Sequence, residues 1–364
     1  MKRRLVVVGP LPPPHHGVAV STSLVLQGDE LRRRFEVEHF DTSDHRTLQN
    51  VGRWDATNIG EALTALGRFA IRLRGAPGIV YLPVSQGLPG LTRDTLFIRI
   101  ASARGWKVVA HLRGSELGDV YRRQPRVIRL WLRRAFGRLD SLAVLGESLR
   151  PAVTDVVPAS KVAVVPNGTP DPGLNGQPQS TERALFLGNL LPRKGVVEAF
   201  EAAQIVIERR PNARFVFVGD CPDESLGREL RLRAQQTQGR IAVRSAVTGA
   251  DKLSLLASSA FLIFPPVKPE GQPRVVLEAM AAGLPVIATD RGAIAETVLD
   301  GECGYVLRDP DPLELAERML RLLDDPELRS SMSRAARSRY LAHFTQGAAD
   351  RALADWLARV AATT

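Results

Sequence analysis

The segment Ala260-Phe261-Leu262-Ile263-Phe264, followed by Pro269-Glu270-Gly271-Gln272-Pro273-Arg274-Val275-Val276-Leu277-Glu278-Ala279-Met280 and then Pro285-Val286-Ile287-Ala288, decides the fold. The two flanking runs are apolar without alternation, which marks short strands buried on both faces. Between them Pro273 suits a first helical turn, and Gly283 with Pro285 suits the end of the helix. Strand, helix and strand in this order build a parallel α/β layer. Glu270 falls in the loop ahead of the helix and Glu278 inside it. Val275, Val276, Leu277, Ala279 and Met280 read as buried neighbours, which argues against Glu278 being a merely solvated helix residue. The free N–H groups of a helix start favour an anion. Two carboxylates beside such a site suit hydrogen bonds from sugar hydroxyls.

The same pattern extends in both directions. Apolar runs recur at Leu5–Val8, Glu36–Phe40, Ile79–Val84, Lys107–His111, Ser141–Leu145 and Lys161–Val165. A second set lies at Ala184–Leu187, Arg214–Val218, Arg240–Arg244, Ala260–Phe264, Pro285–Ala288 and Tyr305–Leu307. Amphipathic stretches of helix length lie between them, among them Ser21–Arg34, Leu91–Arg104, Pro125–Arg138, Val196–Arg210 and Pro312–Asp324. This alternation predicts two Rossmann-like α/β domains facing each other across a cleft. The Gly-, Pro- and Asn-rich stretch from Asn167 to Ser180 is the candidate linker. The expected division is 1–170, 171–345 and a last helix, 346–364, that crosses back to the first domain. Ligands of such sheets bind outside the carboxyl ends of the strands, so the loops that follow strands carry the candidate chemistry.

Three further loops stand out. Leu187-Gly188-Asn189 runs to Pro192-Arg193-Lys194-Gly195 just before a helix, a setting in which adjacent cations and a helix start hold a diphosphate. His111 ends the run Val108-Val109-Ala110 and reads either as a cleft-facing group or as a hydrogen-bonded core histidine. The first loop, Pro10 to Ala19, brings Gly17 ahead of a helix expected to cap near Ser21 or Ser23, and carries the solvated pair His15 and His16. It lacks the Gly-x-Gly-x-x-Gly spacing of dinucleotide binding, which lowers an oxidoreductase reading.

Length and composition frame these motifs. The 364 residues give room for two cores, and 44% hydrophobic with 24% charged residues argues against disorder. No run reaches the roughly 18 apolar residues that a bilayer span needs. Leu5–Val8 is broken by Gly9-Pro10 before it reaches the length of a signal sequence. Cys221 and Cys303 offer neither a disulfide framework nor zinc spacing, so a reducing, cytoplasmic setting is expected and no metal. The net charge of +10 is unevenly placed: residues 1–170 carry +11 and residues 171–364 carry −1. Such asymmetry points to an anionic acceptor or membrane on one domain. Nucleic acid is not expected, since no recognisable module appears and only 5% of residues are aromatic. The helix from Pro125 to Phe136, with arginines beside Trp131, Leu130 and Phe136, suits an anionic membrane interface, or packs its apolar side on the sheet.

Taken together, these motifs resemble the retaining glycosyltransferases of family 4, which have the GT-B fold. Glu270 to Glu278 resembles that family's E-x7-E signature, and the continuation Ala279-Met280-Ala281-Ala282-Gly283-Leu284-Pro285-Val286-Ile287-Ala288-Thr289 is very similar to its usual one. Val164-Val165-Pro166-Asn167-Gly168, His111-Leu112-Arg113-Gly114 and the loop at Lys194-Gly195 resemble further family landmarks. The resemblance implies a metal-independent hexosyltransferase with a nucleotide-sugar co-substrate, UDP- or GDP-linked, and a glycan, lipid-linked or small-molecule acceptor. It implies that Glu270 holds hydroxyls of the donor sugar, Glu278 the ribose, and Arg193 with Lys194 the diphosphate. His111 is implied near the transferred sugar, and Gly17, Gly188, Asn189, Gly271, Gln272, Arg274 and Val275 around the donor. The chain departs from the pattern at Asn189, where many members have Arg, and at Gly271-Gln272-Pro273, where the proline removes one backbone donor. Competing readings are another nucleotide-sugar enzyme, epimerase-like, or a non-catalytic basic binding protein.

Overall fold

The computed structural model describes residues 2–12, 17–43, 56–174 and 182–363, without the side chains of 56–63. His15, His16 and the linker stretch 175–181 lie outside the described residues. The chain forms two compact units: Met1–Asn167 with Gln346–Thr364, and Gly168–Thr345.

The first unit holds, among the described residues, a six-stranded sheet of β1 (Arg3–Gly9), β2 (Phe35–Asp41), β3 (Ile79–Val84), β4 (Lys107–Leu112), β5 (Ser141–Val144) and β6 (Val162–Val164). Its order is β2-β1-β3-β4-β5-β6, and every pairing is parallel. The helices are α1 (Gly17–Leu26), α2 (Asp29–Arg34), α3 (Ala56–Arg72), α4 (Leu88–Ala103), α5 (Leu117–Arg122) and α6 (Arg126–Phe136). The single helix expected over Ser21–Arg34 is two helices broken around Gly28. Helix α1 starts at Gly17, ahead of the expected cap, and Ser21 Oγ donates back to Gly17 O at 2.7 Å. The C-terminal helix, Gln346–Ala362, buries Leu353, Trp356 and Leu357 against Leu5, Val7, Tyr81 and Val109. Its Asp350 accepts from the backbone N–H groups of Glu30 (2.7 Å) and Leu31 (3.3 Å), so a carboxylate 320 residues away caps α2. A Cβ at Gly28 would stand 2.2 Å from Asp350 Oδ1, which is why this break needs glycine.

The second unit has β7 (Arg183–Leu187), β8 (Arg214–Val218), β9 (Ile241–Arg244), β10 (Phe261–Phe264), β11 (Val286–Thr289) and β12 (Gly304–Leu307), in the order β12-β11-β10-β7-β8-β9. Its helices are α7 (Val196–Arg209), α8 (Glu224–Gln235), α9 (Gly249–Ala257), α10 (Arg274–Ala281), α11 (Ile294–Thr297), α12 (Pro312–Asp324) and α13 (Pro326–His343). Alternate residues of one strand serve opposite cores. Phe186 packs with Phe200 and Phe217 on one side of the sheet, while Leu185 and Leu187 pack with Leu262 and Met280 on the other. Both faces are covered, so the strands read as unbroken apolar runs. Each fully buried phenylalanine contributes about 1.5–3 kcal/mol.

Strand order reverses direction between β1 and β3 in the first unit and between β7 and β10 in the second. At such a switch, neighbouring loops leave the sheet to opposite sides and open a crevice beyond the strand ends.

Candidate functional site

In the second unit the switch brings together the loops after β7 and β10. Gly188, at φ 140°, starts the first loop, and its carbonyl lies so close to Gly219 that a Cβ there would stand 1.9 Å from it. A single 3-10 turn, Pro192–Lys194, ends at Gly195, whose φ of 76° and approach to Pro265 O leave no room for a side chain. The carbonyl of Arg193 accepts from Val267 N (3.1 Å) and Lys268 N (3.2 Å), pinning this turn to the β10 loop. The side chain of Lys194 thereby lies over the Phe264 ring, 5.4 Å from its centroid, with its Nζ 2.5 Å from Glu270 Oε1. The residues Arg193 and Asn189 are exposed beside it.

Glu270 is fixed from behind. Ala293 N donates to Gly271 O at 2.9 Å, and a Cβ on Gly292 would stand 1.7 Å from Glu270 O. Pro273 sits one position ahead of α10 rather than within its first turn. Glu278 projects from α10 to Lys252 of α9, with Oε2 2.7 Å from Nζ. Lys252 is a site residue that sequence reading missed; its only signal was being one of six lysines in an arginine-rich chain.

Two residues expected around the donor turn their side chains elsewhere, which leaves their backbone groups at the loop. Gln272 is buried and donates through Nε2 to Thr297 Oγ1 at 3.0 Å, so its side chain packs inward and only its backbone remains at the loop. Arg274 turns its Nη1 to Gly168 O at 2.7 Å, at the start of the unit, while Val275 is half-buried on α10.

In the first unit His111 is a core histidine, and the expectation of a cleft-facing group is corrected. It is 0% exposed; Nε2 donates to Val165 O at 3.1 Å, and Nδ1 lies 3.1 Å from the Tyr81 hydroxyl. That hydroxyl accepts from Arg113 Nη2 at 2.7 Å, leaving its own proton for Nδ1. Burial, and then the Arg113 charge, hold the imidazole well below its usual pKa, so it is neutral. Arg113 also donates to Asn167 Oδ1 at 2.6 Å and has no carboxylate partner among the described residues. The Gln86 side chain after β3 accepts from Ser115 N and Glu116 N, tying the β3 and β4 loops together. Gly17, at the start of α1, is exposed with open space around it. Among the described residues no group of three or more His, Cys, Asp or Glu could hold a metal ion.

Residues 172–339, nearly the whole second unit, match the family described as "Glycosyl transferases group 1". The second unit belongs to the group 1 glycosyl transferases. Within this glycosyl transferase unit lie both lysine–glutamate pairs, Lys194–Glu270 and Lys252–Glu278. Over 178 residues the chain is 30% identical to a phosphatidyl-myo-inositol mannosyltransferase of Mycolicibacterium smegmatis, covering 47% of this chain and 45% of that protein. Over 223 residues it is 28% identical to a sulfoquinovosyl transferase of Arabidopsis thaliana, covering 58% of this chain and 42% of that protein. The chain thus spans about half the length of the curated relatives it matches. Across its length it shares the GT-B fold of HepE from Anabaena, solved in complex with UDP. The TM-score is 0.76 at 16% identity, covering 98% of this chain and 100% of that one. A glycosyltransferase from Rickettsia africae gives 0.76 at 14% identity, with full coverage of both.

Proposed function

We propose that this protein is a retaining glycosyltransferase that moves a hexose from a UDP- or GDP-linked donor to the hydroxyl of a glycan or lipid-linked acceptor. The observation that carries this reading is the Lys194–Glu270 pair at the strand switch of a group 1 unit. A cation and a carboxylate held together suit the two ends of one ligand, an anionic diphosphate and a hydroxylated sugar. Donor binding re-partners them, Lys194 to the diphosphate and Glu270 to sugar hydroxyls. Arg193, exposed on the same turn, adds a second positive charge where Asn189 has none. Glu278, oriented by Lys252, takes the ribose. Backbone N–H groups between Gly271 and Val275 reach phosphate oxygens at the start of α10. Catalysis then rests on stabilising charge that grows on the leaving diphosphate, and on positioning. The diphosphate itself helps to deprotonate the incoming hydroxyl on the same face, which retains the anomeric configuration.

Support for the donor class comes from the fold relative solved with UDP and with UDP-glucose, and from a relative named as GDP-mannose-dependent. The acceptor falls to the first unit, whose charge excess suits a phospholipid-linked glycan at the cytoplasmic face of a membrane. Incubation with labelled UDP- and GDP-sugars, a lipid extract and EDTA tests the reading. Nucleotide release with sugar transfer and a retained anomer, unaffected by the chelator, is expected. No release with any donor overturns it.

A further inference from the structure

Between Asp119 and Asp140 the chain has seven arginines and no carboxylate. Most of this stretch is helix α6, whose Leu132, Ala135 and Phe136 are buried, so the side of the helix that faces the unit is settled. Val127 and Leu130 lie on the opposite side and are 79% and 49% exposed. At 100° per residue these two flank Arg134 at the centre of the outward arc, with Arg126 and Arg133 along one edge. Arg122, just ahead of the helix, pairs with Asp119 and Asp155. Arg123, Arg126, Arg129, Arg133 and Arg134, in contrast, have no carboxylate partner among the described residues. The fold thus leaves an apolar ridge framed by guanidinium groups that have no carboxylate partner among the described residues.

We propose that the outer face of α6 docks on an anionic lipid bilayer, with Val127 and Leu130 inserted among the acyl chains near the headgroups and the arginines on lipid phosphates. An amphipathic helix lying in the interface needs both components. A nucleic acid uses only one of them: phosphates pair with arginine, but exposed aliphatic tips gain nothing from a phosphate backbone and cannot stack as an aromatic ring does. Guanidinium suits the task because it forks onto phosphate oxygens and is weakly hydrated. This surface lies on the first unit and involves none of the residues assigned to the donor, so the inference stands or falls apart from sugar transfer.

The test is sedimentation of the full chain with vesicles of phosphatidylcholine alone and of phosphatidylcholine with phosphatidylglycerol. Binding to the anionic vesicles only, weakening as salt rises, is expected. Replacing Arg126, Arg133 and Arg134 by Gln should weaken it by about five-fold per charge. Val127→Ser with Leu130→Ser, which leaves every charge in place, should weaken it about ten-fold or more. All five positions are exposed, and the melting temperature with the rate of nucleotide release from soluble donor should match the unmodified chain. Equal binding to neutral and anionic vesicles overturns the proposal. So does unchanged vesicle binding in either variant. Duplex DNA binding that the arginine variant loses and the Val127/Leu130 variant keeps, without vesicle binding, reassigns the face to nucleic acid.

Discussion

At the carboxyl edge of the second unit's sheet, lysine and glutamate meet in two ion pairs, Lys194–Glu270 and Lys252–Glu278, on side chains that water still reaches. At the same edge of the first unit Arg113 has no carboxylate partner among the described residues, and behind it the neutral His111 is sealed between Tyr81, Val165 and Trp356. Among the described residues both sheets are parallel, six-stranded and interrupted by one switch in strand order. The difference lies in the charged groups that stand at the strand ends. Paired charges that water partly reaches can exchange partners for a ligand whose own anion and hydroxyls replace the contact each gives up. A histidine with both nitrogens satisfied in the core cannot be re-partnered without breaking the packing around it. The second unit is therefore equipped to bind and release an anion, and the histidine of the first unit is equipped to hold a fold together.

The largest expected effect tests the functional half of that contrast. Lys194→Ala and Glu270→Gln should each lower turnover by about 100- to 1000-fold, with thermal melts close to the unmodified chain. The double variant should be no worse than the weaker single one if the two act as a unit. Additive losses would separate them.

Next comes Gly292→Ala. Its φ of 66° and a Cβ 1.7 Å from Glu270 O should cost about 2–3 kcal/mol in a urea melt. If instead stability holds and only donor affinity falls, the loop yields locally, and the second unit's edge is softer than its contacts imply.

A third outcome concerns His111. Its folded pKa is depressed, so the unfolded chain takes up the proton first. Stability is then complete above the ordinary value of 6.5 and is lost as pH falls below it. Relative to His111→Gln, the unmodified first unit should lose up to about 1.4 kcal/mol per pH unit below that point. The second unit contains no tryptophan, while Trp106, Trp131 and Trp356 fold with the first, so tryptophan fluorescence follows the first unit's unfolding. Parallel pH profiles would mean that His111 protonates in place, and that the first unit's edge is as adaptable as the second's.

The smallest effect is Asp350→Ala, which removes the cap of α2 from the C-terminal helix and should cost about 1 kcal/mol in the same fluorescence melt. A loss several times larger would show that this carboxylate anchors the whole C-terminal helix.

The strands were legible because each is a local property. A run such as Phe261–Phe264 with both faces buried has one apolar signature wherever it sits in the sheet. The turn at Lys194-Gly195 and the loop at Glu270 were legible for a similar reason: glycine and proline mark where a backbone must bend or be approached closely. The helix break at Gly28 was not, because its cause is a carboxylate at position 350. The pairing of Lys252 and the inward turn of the Gln272 side chain were not legible either. Each has a long-range partner, Glu278 for one and Thr297 for the other, and no local pattern names it.

The sequence by itself therefore determined the two sets of six strands, the loops that carry cation and carboxylate, and the basic character of one half. Those follow from hydrophobic period, turn residues and charge, all of which are written within a few residues. Tertiary structure alone decided the order of the strands, and with it the switch that brings the β7 and β10 loops together. It also sent His111 into the core and left Val127 and Leu130 outside it. Pairing between distant segments assigns each polar group its partner, and a partner far along the chain leaves no local mark.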